Sequence, residues 1–126
     1  MTKLLSALAV ASLTTLSIAL KAKADIFDAK VYCQVEGIRS GQLALRHQPN
    51  GEPFAGLNNG NTVQAFGGTP FVNERGVSSV WYEVKVLQGP NSRVNGKKGV
   101  VNADYLTCDW YDLNGEFIRR DIAPKR

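Results

Sequence analysis

The chain has 126 residues, with 15 Lys and Arg against 11 Asp and Glu, one His and two Cys. That length suits one small domain, and one His with two Cys leaves little for metal or nucleophile chemistry. The formal charge of +4 is misleading, because Lys3, Lys21 and Lys23 all precede residue 25 and the remainder carries 12 basic against 11 acidic residues. A near-neutral body excludes a global nucleic-acid or polyanion footprint.

In chain order, Lys3 opens a short positive region, residues 4–20 are apolar, and Ala22-Lys23-Ala24 follows. This is the pattern of a secretory signal peptide over residues 1–24 with an A-x-A cleavage site; Ser17-Ile18-Ala19 offers a second site. Residues 4–20 are at the short limit for a membrane span and are diluted by Ser and Thr. No stable span is expected after cleavage, so residues 25–126 form the expected domain, secreted or periplasmic.

Strand signals dominate that domain. Residues 31–35, 42–46 and 62–66 alternate apolar and polar positions, and 80–86 does so most clearly. There Val80, Tyr82, Val84 and Val86 share one face, with Trp81, Glu83 and Lys85 opposite. Gly99-Val100-Val101 leads into Tyr105-Leu106. No segment has a helical period with caps. Pro49-Asn50-Gly51, Asn58-Asn59-Gly60, Gly67-Gly68, Gly89-Pro90-Asn91 and Asn95-Gly96 supply turns.

Two stretches, 69–79 and 89–98, read as long polar loops, suited equally to binding and to tolerated insertion. Asn114-Gly115 between apolar and aromatic arms predicts a terminal hairpin over 109–118. Residues 119–126 read as a frayed basic tail. The expected fold is all-β, a small barrel of about five strands with Gly-rich turns.

A domain this small has a marginal core and gains from a covalent staple. In an oxidising compartment Cys33 and Cys108 most simply form one disulfide. Closing a loop of about 75 residues is worth about 4 kcal/mol in the chain-entropy model. No C-x-x-C or neighbouring base supports a redox or nucleophilic role.

The order of segments resembles the bacterial Src-homology-3-like (SH3b) family. Leu43-Ala44-Leu45-Arg46-His47-Gln48-Pro49 is similar to its L-N-V-R-x-x-P opening, and residues 54–63 to its diverging G-x-L-x-x-G-x-x-V segment. Val80-Trp81-Tyr82-Glu83-Val84 is similar to x-W-Y-K-V, and residues 96–106 to G-x-x-G-W-V-x-x-x-Y-L. The resemblance spans about residues 42–106. It implies an SH3-like barrel in which Tyr105-Leu106 closes the structure through a short turn. Val100 replaces the family's Trp, and the stretches 69–79 and 89–98 are longer than the pattern. Cys33, Cys108 and the terminal hairpin lie outside it.

No catalytic constellation survives inspection. A triad would rest on His47, a turn residue, and a Cys–His dyad would need a free thiol. One His and no free Cys make no metal site without clustered carboxylates. Asp112-Leu113-Asn114-Gly115 has part of a calcium-loop pattern, but position one would be Trp110 and position twelve is not Glu. The expectation is no enzyme, no cofactor and no metal.

What remains is recognition. Alternation points Trp81 away from the Val80–Val86 face, where it either floors a groove or packs under the neighbouring loop. By resemblance, it is the first of an aromatic pair that lines a groove for extended peptides. Arg46 faces away from Leu43 and Leu45 beside it, and Phe54, Phe71 and Tyr105 are further groove candidates, with core packing as their alternative. Arg93, Lys97 and Lys98 share a turn that suits an anionic polymer or simply solvent.

The resemblance implies a monomeric binding module for cell-envelope peptide or glycan of the peptidoglycan type. The competing expectation is a protein–protein adaptor or inhibitor that engages an envelope protein through the long loops and the terminal hairpin.

Overall fold

A computed structural model describes residues 25–124. The expected signal segment, residues 1–24, and the last two residues of the expected basic tail lie outside the described residues. Eight strands form one sheet: β1 (Asp25–Val35), β2 (Leu43–Arg46), β3 (Pro53–Leu57), β4 (Thr62–Val72), β5 (Ser78–Gln88), β6 (Lys98–Asn102), β7 (Leu106–Tyr111) and β8 (Phe117–Asp121). Their order is β3-β2-β6-β5-β4-β1-β7-β8, with antiparallel neighbours throughout. A 3-10 turn, Ala103–Tyr105, joins β6 to β7, and the described residues contain no α-helix.

Period-two alternation explains which side chains enter the core. In β1, Val31, Cys33 and Val35 are buried while Tyr32 and Gln34 are exposed. In β7, Leu106, Cys108 and Trp110 are buried. These meet Leu43 and Leu45 of β2, Leu57 of β3, Val63 and Ala65 of β4, Val84 and Val86 of β5 and Val101 of β6 in one cluster. β8 contributes nothing to it. Several of these side chains have no accessible surface, yet no helical layer covers them. The sheet therefore coils around its own core, which is how an all-β chain of this size buries a face without a second layer.

Cys33 and Cys108 sit directly opposite each other on β1 and β7 and are joined by a disulfide. The bridge links strands 75 residues apart in sequence, and both sulfurs lie inside the core.

Four expectations need correction. The five expected strands and both arms of the expected terminal hairpin are present, but as one sheet of eight whose remaining strand, residues 53–57, alternation did not single out. The stretch 69–79 is mostly strand: β4 runs to Val72, β5 starts at Ser78, and only 73–77 form the turn. Pro70 is tolerated because β4 pairs with β1 only as far as Gly68, so beyond that point one side of the strand needs no donor.

Third, Val80 shares the face of Tyr82, Val84 and Val86 but is 44% exposed and lies outside the core. It pairs with Pro70 where the β4–β5 hairpin has outrun the core that covers Tyr82, Val84 and Val86. Fourth, the chain from Arg119 does not fray at once. Arg119, Arg120 and Asp121 pair with Trp110, Asp109 and Cys108 as part of β8, and the Ala123 N–H donates to Thr107 Oγ1 at 3.0 Å.

The 89–98 connection is a real loop, but Val94 within it is buried and joins the core. Gly60 takes φ 88° in the turn before β4, a conformation that favours glycine.

A groove centred on Trp81

Trp81 and Asn102 face each other across β5 and β6. Because Tyr82, Val84 and Val86 turn toward the core, Trp81 emerges on the opposite side of the sheet. That side is not open solvent here: Trp81 is only 7% exposed. Its indole N–H donates to Ser79 Oγ at 3.0 Å, and the Arg46 guanidinium carbon stands 5.8 Å from the ring centroid. This is within the range of a cation–π contact.

β2 delivers Arg46 to this position. Leu43 and Leu45 go into the core, so Ala44 and Arg46 face outward, and Arg46 pairs with Val100 of β6. Arg46 Nη1 donates to the Gly51 carbonyl. Its Nε is buried and makes no hydrogen bond. The backbones approach closely at this junction, and a Cβ on Gly99 would stand 2.7 Å from the Arg46 carbonyl oxygen.

Around Trp81 lies a hollow of about 560 Å³ bounded by the 37–42 segment, β2, Asn102 and Tyr105. A second hollow, about 270 Å³, continues toward the β4–β5 hairpin and is lined by Phe71, Asn73 and Ser79. Asn50, Trp81, Asn102 and Tyr105 line both, so the two form one continuous groove. The 3-10 turn sets Tyr105 at its base, and Asn102 caps that turn by accepting from the Asp104 N–H at 2.9 Å.

The 37–42 wall is fastened to the turn before β4. Asn59 bonds both backbone groups of Ile38, accepting at 3.0 Å and donating at 2.8 Å. Gln42 Nε2 donates to Asn58 Oδ1 at 2.9 Å. A wall held this way is preorganised, which lowers the ordering cost of binding.

Of the residues singled out from sequence, Trp81, Arg46, Tyr105 and Phe71 share this groove. Phe54 does not line it; it packs against the core and stacks on His47 with ring centroids 4.1 Å apart. Sequence reasoning missed Asn50, Asn102 and the 37–42 wall. Asn50 was legible only as a turn residue, and it takes φ 58° there. The Asn102-x-Asp104 spacing was a usable capping signal.

Two electrostatic features lie away from the groove. Arg120 grips Asp109 through Nε at 2.6 Å and Nη2 at 2.9 Å, and this hydrogen bonding holds the Asp109 carboxyl below its ordinary range. Burial, reinforced by Asp121 and opposed by Arg119, raises the Tyr82 phenol above its ordinary range. Among the described residues no group of three His, Cys, Asp or Glu side chains is placed to hold a metal ion. No helix among them is long and apolar enough to cross a membrane.

No family model, curated protein or solved structure matches this chain. The groove therefore has to be read from its own chemistry.

Proposed function

We propose that the chain is a secreted or periplasmic binding module, not an enzyme, built as an SH3b-like barrel that takes an extended cell-envelope peptide or glycan into the Trp81 groove. The single observation that carries this reading is the convergence of Trp81, Arg46, Tyr105 and Phe71 on one continuous groove. The groove combines aromatic surface with side-chain amides from Asn50, Asn73 and Asn102. Aromatic rings offer large rigid contact area at little entropy cost, and amides satisfy the polar groups of peptides and sugars alike.

The barrel reading draws support from the coiled single sheet and from the 3-10 turn at Ala103–Tyr105. That turn falls where the resemblance places barrel closure before Leu106. A disulfide buried in the core suits an oxidising compartment outside the cytoplasm.

Retention of the oxidised protein on purified peptidoglycan sacculi tests the reading. Arg39 and Phe71 line the groove without being fully buried, so Arg39→Ala and Phe71→Ala probe it with little risk to the core. Retention that falls several-fold in both variants supports the groove. No retention of the unmodified protein counts against an envelope ligand and favours a protein partner, for which Leu113, Phe117 and Ile118 of the terminal hairpin offer exposed apolar surface.

A further inference from the structure

β8 is the last strand of the sheet, and all five of its residues are exposed, with Phe117 at 58% and Ile118 at 50%. An unpaired edge presents a row of N–H and C=O groups that will pair with another strand unless something guards it. The opposite edge is guarded. β3 opens on Pro53, which has no N–H to offer, and its remaining residues are at least partly buried.

β8 has neither guard; its one irregularity is a bulge at Ile118, where Trp110 pairs with Arg119 but Tyr111 with Phe117. It contains no proline, and the charges that would repel a partner are already engaged. Arg120 is paired with Asp109, Arg119 is paired with Asp121 at 3.3 Å, and the Arg119 guanidinium stacks 4.1 Å from the Trp110 ring centroid.

We propose that β8 is a self-association edge, where a second copy of this chain adds its own β8 antiparallel and extends the sheet across a two-fold axis at Arg120. The occupant is a second copy because the strand is complementary to itself. With Arg120 opposite its symmetry mate, Arg119 faces Asp121 of the second copy and Ile118, at the bulge, meets Ile122. Opposite charges and apolar side chains placed directly across an antiparallel pair stabilise it. The two-fold repeats each of these pairs, giving an isologous contact.

The like-charged pair on the axis is tempered because each Arg120 keeps its own Asp109. Moving the axis to Arg119 would set the two Arg119 side chains against each other and place Ile118 against Arg120. This contact uses none of the groove-lining residues, so it stands or falls independently of the ligand. It also replaces the expected monomer with a dimer.

Sedimentation equilibrium of the oxidised protein over about 1–100 μM tests the proposal. The unmodified chain is expected to form dimers within that range. Arg119→Asp, which sets like charges opposite each other in two places, should raise the dimer dissociation constant about tenfold or more. The exchange Arg119→Asp with Asp121→Arg restores the complementarity and should recover the dimer. Arg120→Cys, on the axis, should give a covalent dimer on air oxidation, while Ile118→Cys, well off the axis, should not. Near-UV circular dichroism confirms that each variant is folded. An unmodified protein that stays monomeric, or a folded Arg119→Asp variant that dimerises undiminished, overturns the proposal. So does Arg120→Cys that forms no covalent dimer.

Discussion

Arg46 lies over the indole of Trp81, its guanidinium carbon 5.8 Å from the ring centroid, while its Nη1 donates to the Gly51 carbonyl. One side chain thus joins β2, the turn after it and the aromatic centre of the groove. Arg46→Ala removes a charge-assisted hydrogen bond and the packing of the aliphatic stem. It should cost about 1–3 kcal/mol in urea unfolding. A variant as stable as the unmodified protein would show that Arg46 is not part of the groove's support.

The Cys33–Cys108 bridge joins residues that are already cross-strand neighbours inside the core. Replacing both with Ala should lower stability by about 2–4 kcal/mol. The midpoint of denaturant unfolding should fall accordingly, with the strand signature of far-UV circular dichroism retained. Complete loss of that signature would mean that the other core contacts cannot hold β1 against β7 unaided.

Gly99 matters through space rather than through dihedral freedom. An added Cβ would meet the Arg46 carbonyl oxygen at 2.7 Å and the Leu45 side chain at 2.9 Å. Backbone cannot step aside cheaply, so Gly99→Ala should destabilise by about 1–3 kcal/mol. Gly96→Ala is not a useful control because Gly96 takes φ 84°. A substitution at the exposed Lys98, the neighbouring residue of β6, serves instead.

The fold's alternating core was largely readable from sequence. Val31, Cys33 and Val35, then Leu43 and Leu45, then Tyr82, Val84 and Val86 all point as period-two reasoning assigns them. Local pattern failed where the outcome depends on what lies across the sheet. Val80 obeys the alternation, but no element covers the hairpin that far from the core. Trp81 also obeys it, yet Arg46 beside its ring and Ser79 at its indole N–H leave it only 7% exposed.

Residues 53–57 escaped notice because Pro53 and Gly56 are poor strand formers, and only their pairing with β2 makes them a strand. Residues 119–121 read as a tail because they are charged; the structure ties them down through Asp109 and Trp110. For the groove, the aromatic members and Arg46 were legible singly, whereas the 37–42 wall depends on Asn58 and Asn59, 16 to 21 residues away.

The Asp109–Arg120 pair makes a pH prediction. Asp109 is ionised more readily in the folded protein because Arg120 hydrogen-bonds its carboxylate. Its contribution to stability is fully present above the unfolded carboxyl pKa, about 3.9. It is lost as pH falls through the lower folded value. Carbon-detected NMR titration should place Asp109 below the ordinary range, and Arg120→Gln should return it upward. An Asp109 that titrates normally in the unmodified protein would mean that the bidentate contact does not persist in solution.

The most direct test of the groove is an NMR titration of the oxidised protein with soluble peptidoglycan fragments. A ligand in the groove should give the largest shifts at the Trp81 indole N–H, the Asn50 and Asn102 side-chain amides and the backbone of 37–42, with little change along β8. Shifts that leave Trp81 and Asn102 unmoved and cluster elsewhere on the sheet would contradict it.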